Sequence, residues 1–474
     1  MFSALEIEPE RQPDWADWDK GEFDILVKKF PNDWRIYIFR AIQRCNFVNV
    51  SQDNKGAVPK KILADIAKAN KLKPKNPYVD LAYIDYYKIQ SYIFRLRNAS
   101  SSKQIDDNII KYTTSVISHN PSQALRYMAV SLRGSIYLDH KEYQKSINDC
   151  NEALSINSKY GGTYYDRGLA YRGNKQYKLA LEDFDKALIA EKKSAVRDYS
   201  IYSIIGETYS EMKDYKNSIA YFTKSIQWEI TERDDFKKKY GIDTEIVPSN
   251  ILSEIYEKRG SAHFDLEDYD NALKDFNKAI DLSPEYSYTP HNSRAILYAT
   301  TGKLDEAITD VNYVIALDKK FNADPIENYQ LLLKIYAAKY PDRTNSKYLE
   351  LFNSMLEYAP SEAAYSNRAD YYERVGINEE ALSDYTSAIN LEPSALLYTS
   401  RGIIYGKLGN LDKAIADFNK AIKMKPTEAG AYYYRGVCYN NMDNHSRAVA
   451  DFRISARLGY DEAQNTLTQL GEKW

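Results

Sequence analysis

The stretch YYDRGLAYRGNKQYKLALEDF, Tyr164–Phe184, carries the pattern that decides the fold. Its first half groups aromatic and small residues at helical spacing, as on a packing face, yet Arg167 stands directly before Gly168, where an apolar contact is expected. A charge there calls for a partner built into the architecture, because an unpaired buried charge is costly. The grouping recurs: small residues preceded by aromatics stand at Gly134, Gly168, Gly206, Gly260, Ala295, Ala369, Gly402 and Gly436. Gly134 to Gly168 and Gly402 to Gly436 are each 34 residues, and Ala369 to Gly402 is 33, a period of helix pairs and not of strands.

Two amphipathic helices can be read around each anchor. Three residues after it stands Tyr137, Tyr171, Tyr209, His263, Tyr298, Tyr372, Tyr405 or Tyr439, which defines one face of a first helix. Twelve residues after it comes Ser146, Ala180, Ser218, Ala272, Ala307, Ala381, Ala414 or Ala448, each followed by an aliphatic residue. Four further on lies Cys150, Phe184, Phe222, Phe276, Val311, Tyr385, Phe418 or Phe452, and this i, i+1, i+4 pattern marks the second helix. Between the helices Gly302, Gly376 and Gly409 share a register suited to a left-handed helix end, while other copies carry Lys or an acidic residue there. Pro284, Pro393 and Pro426 share a register after the second helix and forbid its easy continuation.

With these small and aromatic residues in the first helix and the Ala, Phe, Ala pattern in the second, the chain resembles the tetratricopeptide repeat family over eight units, roughly Gln123 to Tyr460. The resemblance implies an all-α fold of antiparallel helix pairs stacked into a right-handed superhelical solenoid, whose concave face holds a peptide or protein. Three further segments read as degenerate pairs: DWRIYIFRAIQRCNFV with PKKILADIAKANKLKP around a polar loop at Ser51–Gly56, YVDLAYIDYYKIQSYIFRLR with DDNIIKYTTSVISHNP, and IENYQLLLKIYAAKYP with SKYLELFNSMLEYAP. About eleven pairs are therefore expected. The expected organisation is an N-terminal segment (1–31), two degenerate pairs (32–122), three repeat units (123–230), an insertion (231–250), two units (251–322), a degenerate pair (323–361), three units (362–460) and a capping helix (461–474). In the insertion the charged first half can extend a helix, whereas Gly241 and Pro248 favour a loop. Trp15 and Trp18 read as docking onto the first pair.

The residue before the anchor is Arg133, Arg167, Arg259, Arg294, Arg368, Arg401 or Arg435 in seven units and Ile205 in the eighth. Fifteen residues after the anchor stand Asp149, Asp183, Asp275, Asp310, Asp384, Asp417 and Asp451, with Tyr221 in that same eighth unit. Pairing within each repeat leaves no orphan charge, whereas pairing between repeats would set Asp183 against Ile205. Seven Arg–Asp bridges inside repeats are therefore expected, with an Ile205–Tyr221 contact replacing the eighth. A ladder of arginines for phosphate is the competing reading, and the matched aspartates argue against it.

Length and composition exclude several functional classes. At 474 residues the chain exceeds one ordinary core. A net charge of -3 with 28% charged residues gives no bulk attraction to nucleic acid or anionic membranes. Cys45, Cys150 and Cys438 are far apart and form neither a disulfide framework nor a zinc motif, so a reducing, cytoplasmic location is the simpler reading. No run of about 18 apolar residues occurs, so no membrane insertion is expected. Phosphate-loop, HExxH and GxSxG motifs are absent and the five histidines are dispersed; no enzyme activity, cofactor or metal is expected.

A binding face is the remaining prospect. The resemblance implies that first-helix positions six, three and two before the anchor, and one, four and five after it, face the concavity. They hold nine acids, Asp139, Asp166, Glu207, Glu211, Glu254, Glu257, Asp265, Asp370 and Glu373, against four bases, Arg172, Lys258, Arg374 and Lys407. An acidic groove for a basic segment and a merely solvated polar face both fit that count. Tyr165 beside Asp166, and Tyr433, Tyr434, Asn440 and Asn441, offer flat surface and amide hydrogen bonds. Of the lysine and asparagine clamp by which one branch of the family holds a terminal carboxylate, only Asn367 matches an isolated element. The expected function is thus a noncatalytic interaction scaffold or adaptor for a peptide or protein; an RNA-binding helical repeat is the alternative, and it would need a basic groove.

Overall fold

The turns of the repeats show why these residues form helix pairs. The computed structural model describes residues 22–46, 57–96, 102–191, 198–240, 250–284 and 287–473. Seven residues after each of the eight anchors the backbone enters the left-handed region, at Lys141, Lys175, Lys213, Glu267, Gly302, Gly376, Gly409 and Asp443, with φ between 59 and 81°. The next residue then donates its N–H back to the carbonyl of the anchor-plus-three aromatic or histidine, as in Glu142 to Tyr137 and Asn410 to Tyr405, both at 2.8 Å. This bond closes the first helix in the manner of a Schellman cap. Five copies therefore reach with Lys, Glu or Asp a conformation that glycine adopts without strain.

The chain divides into two compact units, Met1–Val247 and Pro248–Trp474. In the first, α1 (Glu22–Lys29) precedes five packed pairs. These are α2 (Trp34–Asn46) with α3 (Ala57–Leu72), α4 (Pro77–Leu96) with α5 (Ser102–Ser118), α6 (Gln123–Asp139) with α7 (Tyr143–Ile156), α8 (Gly161–Gly173) with α9 (Tyr177–Glu191), and α10 (Asp198–Glu211) with α11 (Tyr215–Tyr240). The second unit has six: α12 (Asn250–Asp265) with α13 (Tyr269–Leu282), α14 (Tyr288–Thr300) with α15 (Leu304–Phe321), α16 (Ile326–Lys339) with α17 (Ser346–Tyr358), α18 (Glu362–Arg374) with α19 (Asn378–Leu391), α20 (Ala395–Lys407) with α21 (Leu411–Met424), and α22 (Ala429–Asn441) with α23 (His445–Arg457). Helix α24 (Asp461–Gln469) covers the last pair through buried Ala463 and Leu467. The described residues form eleven pairs and no strand.

Helix α1 lies in the segment read as N-terminal, and α11 runs through the charged half of the insertion to Tyr240. Trp15, Trp18, the Ser51–Gly56 loop, Gly241 and Pro248 lie outside the described residues. Pro393 follows the end of α19 by two residues, and Ser394 then caps α20 by accepting from Leu397 N at 3.3 Å.

In four pairs a glycine anchor leaves room for the facing ring. A Cβ placed on Gly168, Gly260, Gly402 or Gly436 would come within 2.6–2.7 Å of the ring of Phe184, Phe276, Phe418 or Phe452. Where the facing residue is the smaller Val311, the anchor is Ala295, and both are fully buried.

All seven expected bridges form inside their repeats, with the aspartates only 2–5% exposed. The fork is the same in each: Arg167 Nε reaches Asp183 Oδ2 at 2.6 Å and Nη2 reaches Oδ1 at 2.8 Å, and the other six pairs repeat this at 2.7–2.9 Å. In the unit around Gly206, buried Ile205 packs with Tyr221 in one cluster instead. The remaining nitrogen, Nη1, reaches the second helix of the preceding pair: Arg167 to Asn151, Arg294 to Asn277, Arg368 to Asn353, Arg401 to Thr386, Arg435 to Asn419 and Arg133 to Thr114, at 2.5–3.1 Å. The bridge is thus also a tie between repeats, which the sequence reading did not anticipate. A further fork joins Arg40 to buried Asp65 across the first degenerate pair, and its Nη1 meets Asp24 of α1 at 2.6 Å. Helix α1 therefore takes the place of a preceding second helix.

Two stability predictions come from this packing. Arg167→Ala and Asp183→Ala are each expected to cost about 3–5 kcal/mol, with the double variant costing far less than their sum; additive losses in urea unfolding would show that the two side chains do not act as a pair. Gly402→Ala is expected to cost about 1–3 kcal/mol by overpacking against Phe418, and adding Phe418→Val should recover part of it, as the native Ala295–Val311 combination does. Thermal unfolding of the three variants checks both directions.

Candidate functional site

First helices of neighbouring pairs touch side by side in each unit. In the first, Tyr127 Oη and Thr163 Oγ1 lie 2.8 Å apart between α6 and α8, and Arg172 of α8 donates to Glu207 and Glu211 of α10 at 2.9 and 2.6 Å. In the second, Ser293 of α14 donates to Glu257 of α12 at 2.8 Å, Asn292 of α14 donates to Asn328 of α16 at 3.0 Å, and Lys407 of α20 donates to Glu373 of α18 at 2.7 Å. Each unit thereby carries a polar first-helix face, knitted across repeats in part by the residue positions expected to face a partner.

On the first unit's face Tyr165 is half-buried, its ring tilted against Phe184 at 5.9 Å, so much of its surface serves packing. Asp166 makes no ion pair among the described residues and is half-buried; burial first, and then the charge of Asp139, push its carboxyl up to about 6. Glu207 and Glu211 share Arg172, which removes much of the negative potential that the sequence count assigns to them.

The second unit's face holds two distinct places. An open cleft of about 460 Å³ between α12 and α14 is lined by Asn250, Ser253, Glu254, Glu257, Lys258, Ser283, Thr289 and Pro290. Glu254 pairs with Lys258 at 2.6 Å, and Glu257 accepts from Ser261 and Ser293 at 3.0 and 2.8 Å. Asp265 is exposed near the end of α12. Glu207 and Glu211 belong to the first unit and Glu254, Glu257 and Asp265 to the second, so the acids read along the groove fall into two units.

The second place is a pocket that brings Asn367 and Asp370 of α18 together with Arg374, Tyr371, Leu333, Ala337, Tyr348, Phe352 and Arg343. Asp370 accepts the Tyr385 hydroxyl at 2.5 Å. Arg343 escaped the sequence reading because it lies outside first-helix register, in the turn joining α16 to α17, where its φ is +56°. That turn spans residues 340–345, longer than the regular one at 408–410, and this extra length was the available signal.

Further along, Tyr433 and Tyr434 pack against Tyr460, at 5.1 and 6.5 Å, and against Phe452 and Phe418 respectively, half-buried. Asn440 Oδ1 meets His445 Nδ1 at 2.8 Å, and Asn441 is exposed. Local partners also occupy the other histidines, such as Asp268 at 2.9 Å from His263 and the Tyr313 ring stacked on His291. Burial pushes the Cys150 thiol up to about 12 and that of Cys438 up to about 11, so neither is a reactive thiolate at neutral pH. Among the described residues no group of three His, Cys, Asp or Glu side chains could hold a metal.

Family models described as tetratricopeptide repeat match residues 162–191, 199–229, 253–286 and 395–428. A TPR repeat-containing protein of Methanocaldococcus jannaschii is 27% identical over 297 residues, covering 57% of this chain and 48% of that protein. The Hsp70-Hsp90 organizing protein of Triticum aestivum is 24% identical over 288 residues, covering 58% of this chain and 39% of that protein. The chain thus spans less than half the length of these curated relatives. Among solved structures, the apo form of the quorum sensor NprR from B. thuringiensis aligns over 82% of this chain and 97% of its own at 15% identity, with a TM-score of 0.43.

The raised Asp166 carboxyl gives a signed prediction. Its folded value of about 6 lies above the ordinary carboxylate value, so the stability it contributes is present below about pH 4 and is lost as pH rises through 6. Asp166→Asn should therefore stabilise the protein at pH 7.5 by about 1 kcal/mol, allowing for partial solvent screening, and give no gain at pH 4. A Tm difference that does not change with pH would contradict this.

Proposed function

The chain belongs to the tetratricopeptide repeat proteins, and on that premise we propose that it is a noncatalytic scaffold or adaptor that holds a peptide or protein segment against its first-helix faces. The cleft between α12 and α14 carries the reading. Its lining sets two carboxylates, Glu254 and Glu257, against one ammonium, Lys258, and the Glu254 side chain remains 63% exposed. A lysine or arginine of a partner can enter there without leaving a charge unpaired, and charge complementarity of this kind contributes more to specificity and on-rate than to affinity. From the Hsp70-Hsp90 organizing protein among the relatives we carry over only the role of organizing other proteins, not its partners.

A cytoplasmic setting accords with the free, buried Cys150 and Cys438. No helix of the described residues is long and apolar enough to cross a membrane. The arginines that would make an RNA-binding ladder are committed to aspartates within their repeats, so no observation favours RNA over protein.

Fluorescence anisotropy separates these readings. Labelled nonapeptides rich in Lys and Arg, neutral and acidic peptides of the same length, and a single-stranded RNA would be titrated with the full chain at low and moderate salt. Basic peptides are expected to bind best and to weaken about tenfold with Glu254→Gln combined with Glu257→Gln. Tighter binding of the RNA than of every peptide would overturn the scaffold reading.

A further inference from the structure

The pocket between α16, α17 and α18 differs in polarity from the cleft. Arg343 and Arg374 both line it, and neither makes a side-chain hydrogen bond or ion pair among the described residues. The bridge arginines, by contrast, have every nitrogen of the fork engaged in several copies, as Arg167 does with Asp183 and Asn151. The two uncommitted guanidinium groups face one carboxylate, Asp370, which already accepts a hydrogen bond from Tyr385. The lining therefore carries a net charge of about +1.

The walls are held in place by the fold. Tyr348, Phe352 and Tyr371 are 1, 4 and 8% exposed and supply an aromatic floor with Leu333 and Ala337. The turn bearing Arg343 is closed by Tyr348 Oη donating to the Tyr340 carbonyl at 3.2 Å, by Arg343 N donating to the same carbonyl at 3.0 Å, and by Thr344 Oγ1 donating to Asp342 at 2.8 Å. Asn367 adds an amide with both donor and acceptor capacity. The pocket is narrow, with about 60 Å³ open to water-sized groups, room for a few waters or one small head group.

We propose that this pocket receives the carboxylate of an aspartate or glutamate side chain on a partner peptide. The proposal rests on the scaffold reading and gives its partner a second, oppositely charged anchor in the same unit. Arginine forks match a planar carboxylate in bidentate geometry. A single negative charge balances the lining, whereas a phosphate dianion would bring excess charge against Asp370.

The test uses four libraries of N-acetylated, C-amidated nonapeptides with Phe–Glu, Phe–Gln, Phe–Lys or Phe–phosphoserine fixed at the centre and the other positions randomised, titrated against the full chain. Phe–Glu peptides are expected to bind about tenfold more tightly than Phe–Gln peptides. The combination of Arg343→Asn, which tolerates the left-handed backbone, with Arg374→Gln should abolish that preference while leaving Phe–Gln binding and Tm unchanged. Asp370→Asn should increase it. Equal binding of Glu and Gln peptides, or a preference that survives loss of both arginines, overturns the site while leaving the scaffold reading intact. Preference for phosphoserine overturns the choice of a carboxylate. Failure of every library to bind, alongside failure of the basic peptides above, overturns both readings.

Discussion

In seven of the eight regular repeats an arginine fork spans the helix pair, with Nε and Nη2 on the two oxygens of a buried aspartate and, in six of them, Nη1 on the second helix of the preceding pair. Four of the guanidinium groups also lie between two tyrosine rings of their own helix, three residues before and four after, as Arg167 does between Tyr164 and Tyr171 at 5.6 and 5.7 Å. A buried ion pair of this kind adds little net stability over an apolar contact of similar volume, and the Ile205–Tyr221 repeat folds with such a contact. What the fork adds is geometry. A bidentate bond fixes how one helix is rotated against the other, and where the tie through Nη1 is present it fixes that pair against the pair before it, so the outward face of a first helix that carries the fork is placed by an interaction on its inner side.

The spacing of the anchors made this architecture legible, because size, charge and backbone conformation repeat together. Gly168 and Phe184, Arg167 and Asp183, and the left-handed residue at Lys175 each recur at fixed offsets. A fixed-offset reading also explains what escaped. Arg40 pairs with Asp65 25 residues away, against 16 in the regular repeats, because more residues separate α2 from α3. The same chemistry lay outside the expected window. The tie from Nη1 to Asn151 or Asn419 escaped for another reason: an exposed asparagine on a second helix has no apolar pattern to mark it.

The candidate site was less legible than the fold. Counting charges at first-helix positions treats each side chain as facing water alone, whereas neighbouring first helices bring those side chains against one another. Arg172 offsets Glu207 and Glu211, and Lys407 is committed to Glu373. Tyrosines read as flat contact surface serve partly as packing, as Tyr433 does against Tyr460 and Phe452. Composition at a register position thus overstates the charge available to a partner, and only the pairing across repeats reveals which groups remain unmatched.

That distinction bears on how a scaffold of repeats acquires specificity. The regular repeats reuse one set of internal contacts, so their inner faces cannot distinguish one partner from another. The irregular ones can. The α16–α17 pair lacks the fork of its own, yet its Asn353 accepts from Arg368, so the repeat that follows holds it in line. Freed from the short turn, it carries the longer connection that sets Arg343 beside Arg374 and Asn367. Degeneracy in this pair is therefore tolerated by the tie from its neighbour, and the longer connection is what places Arg343 at the surface beside Arg374 of the regular repeat that follows. On the proposed reading, a partner with separated positive and negative groups is recognised by the order in which it carries them, since the α12–α14 cleft and the α16–α18 pocket lie in one unit and have linings of opposite net charge.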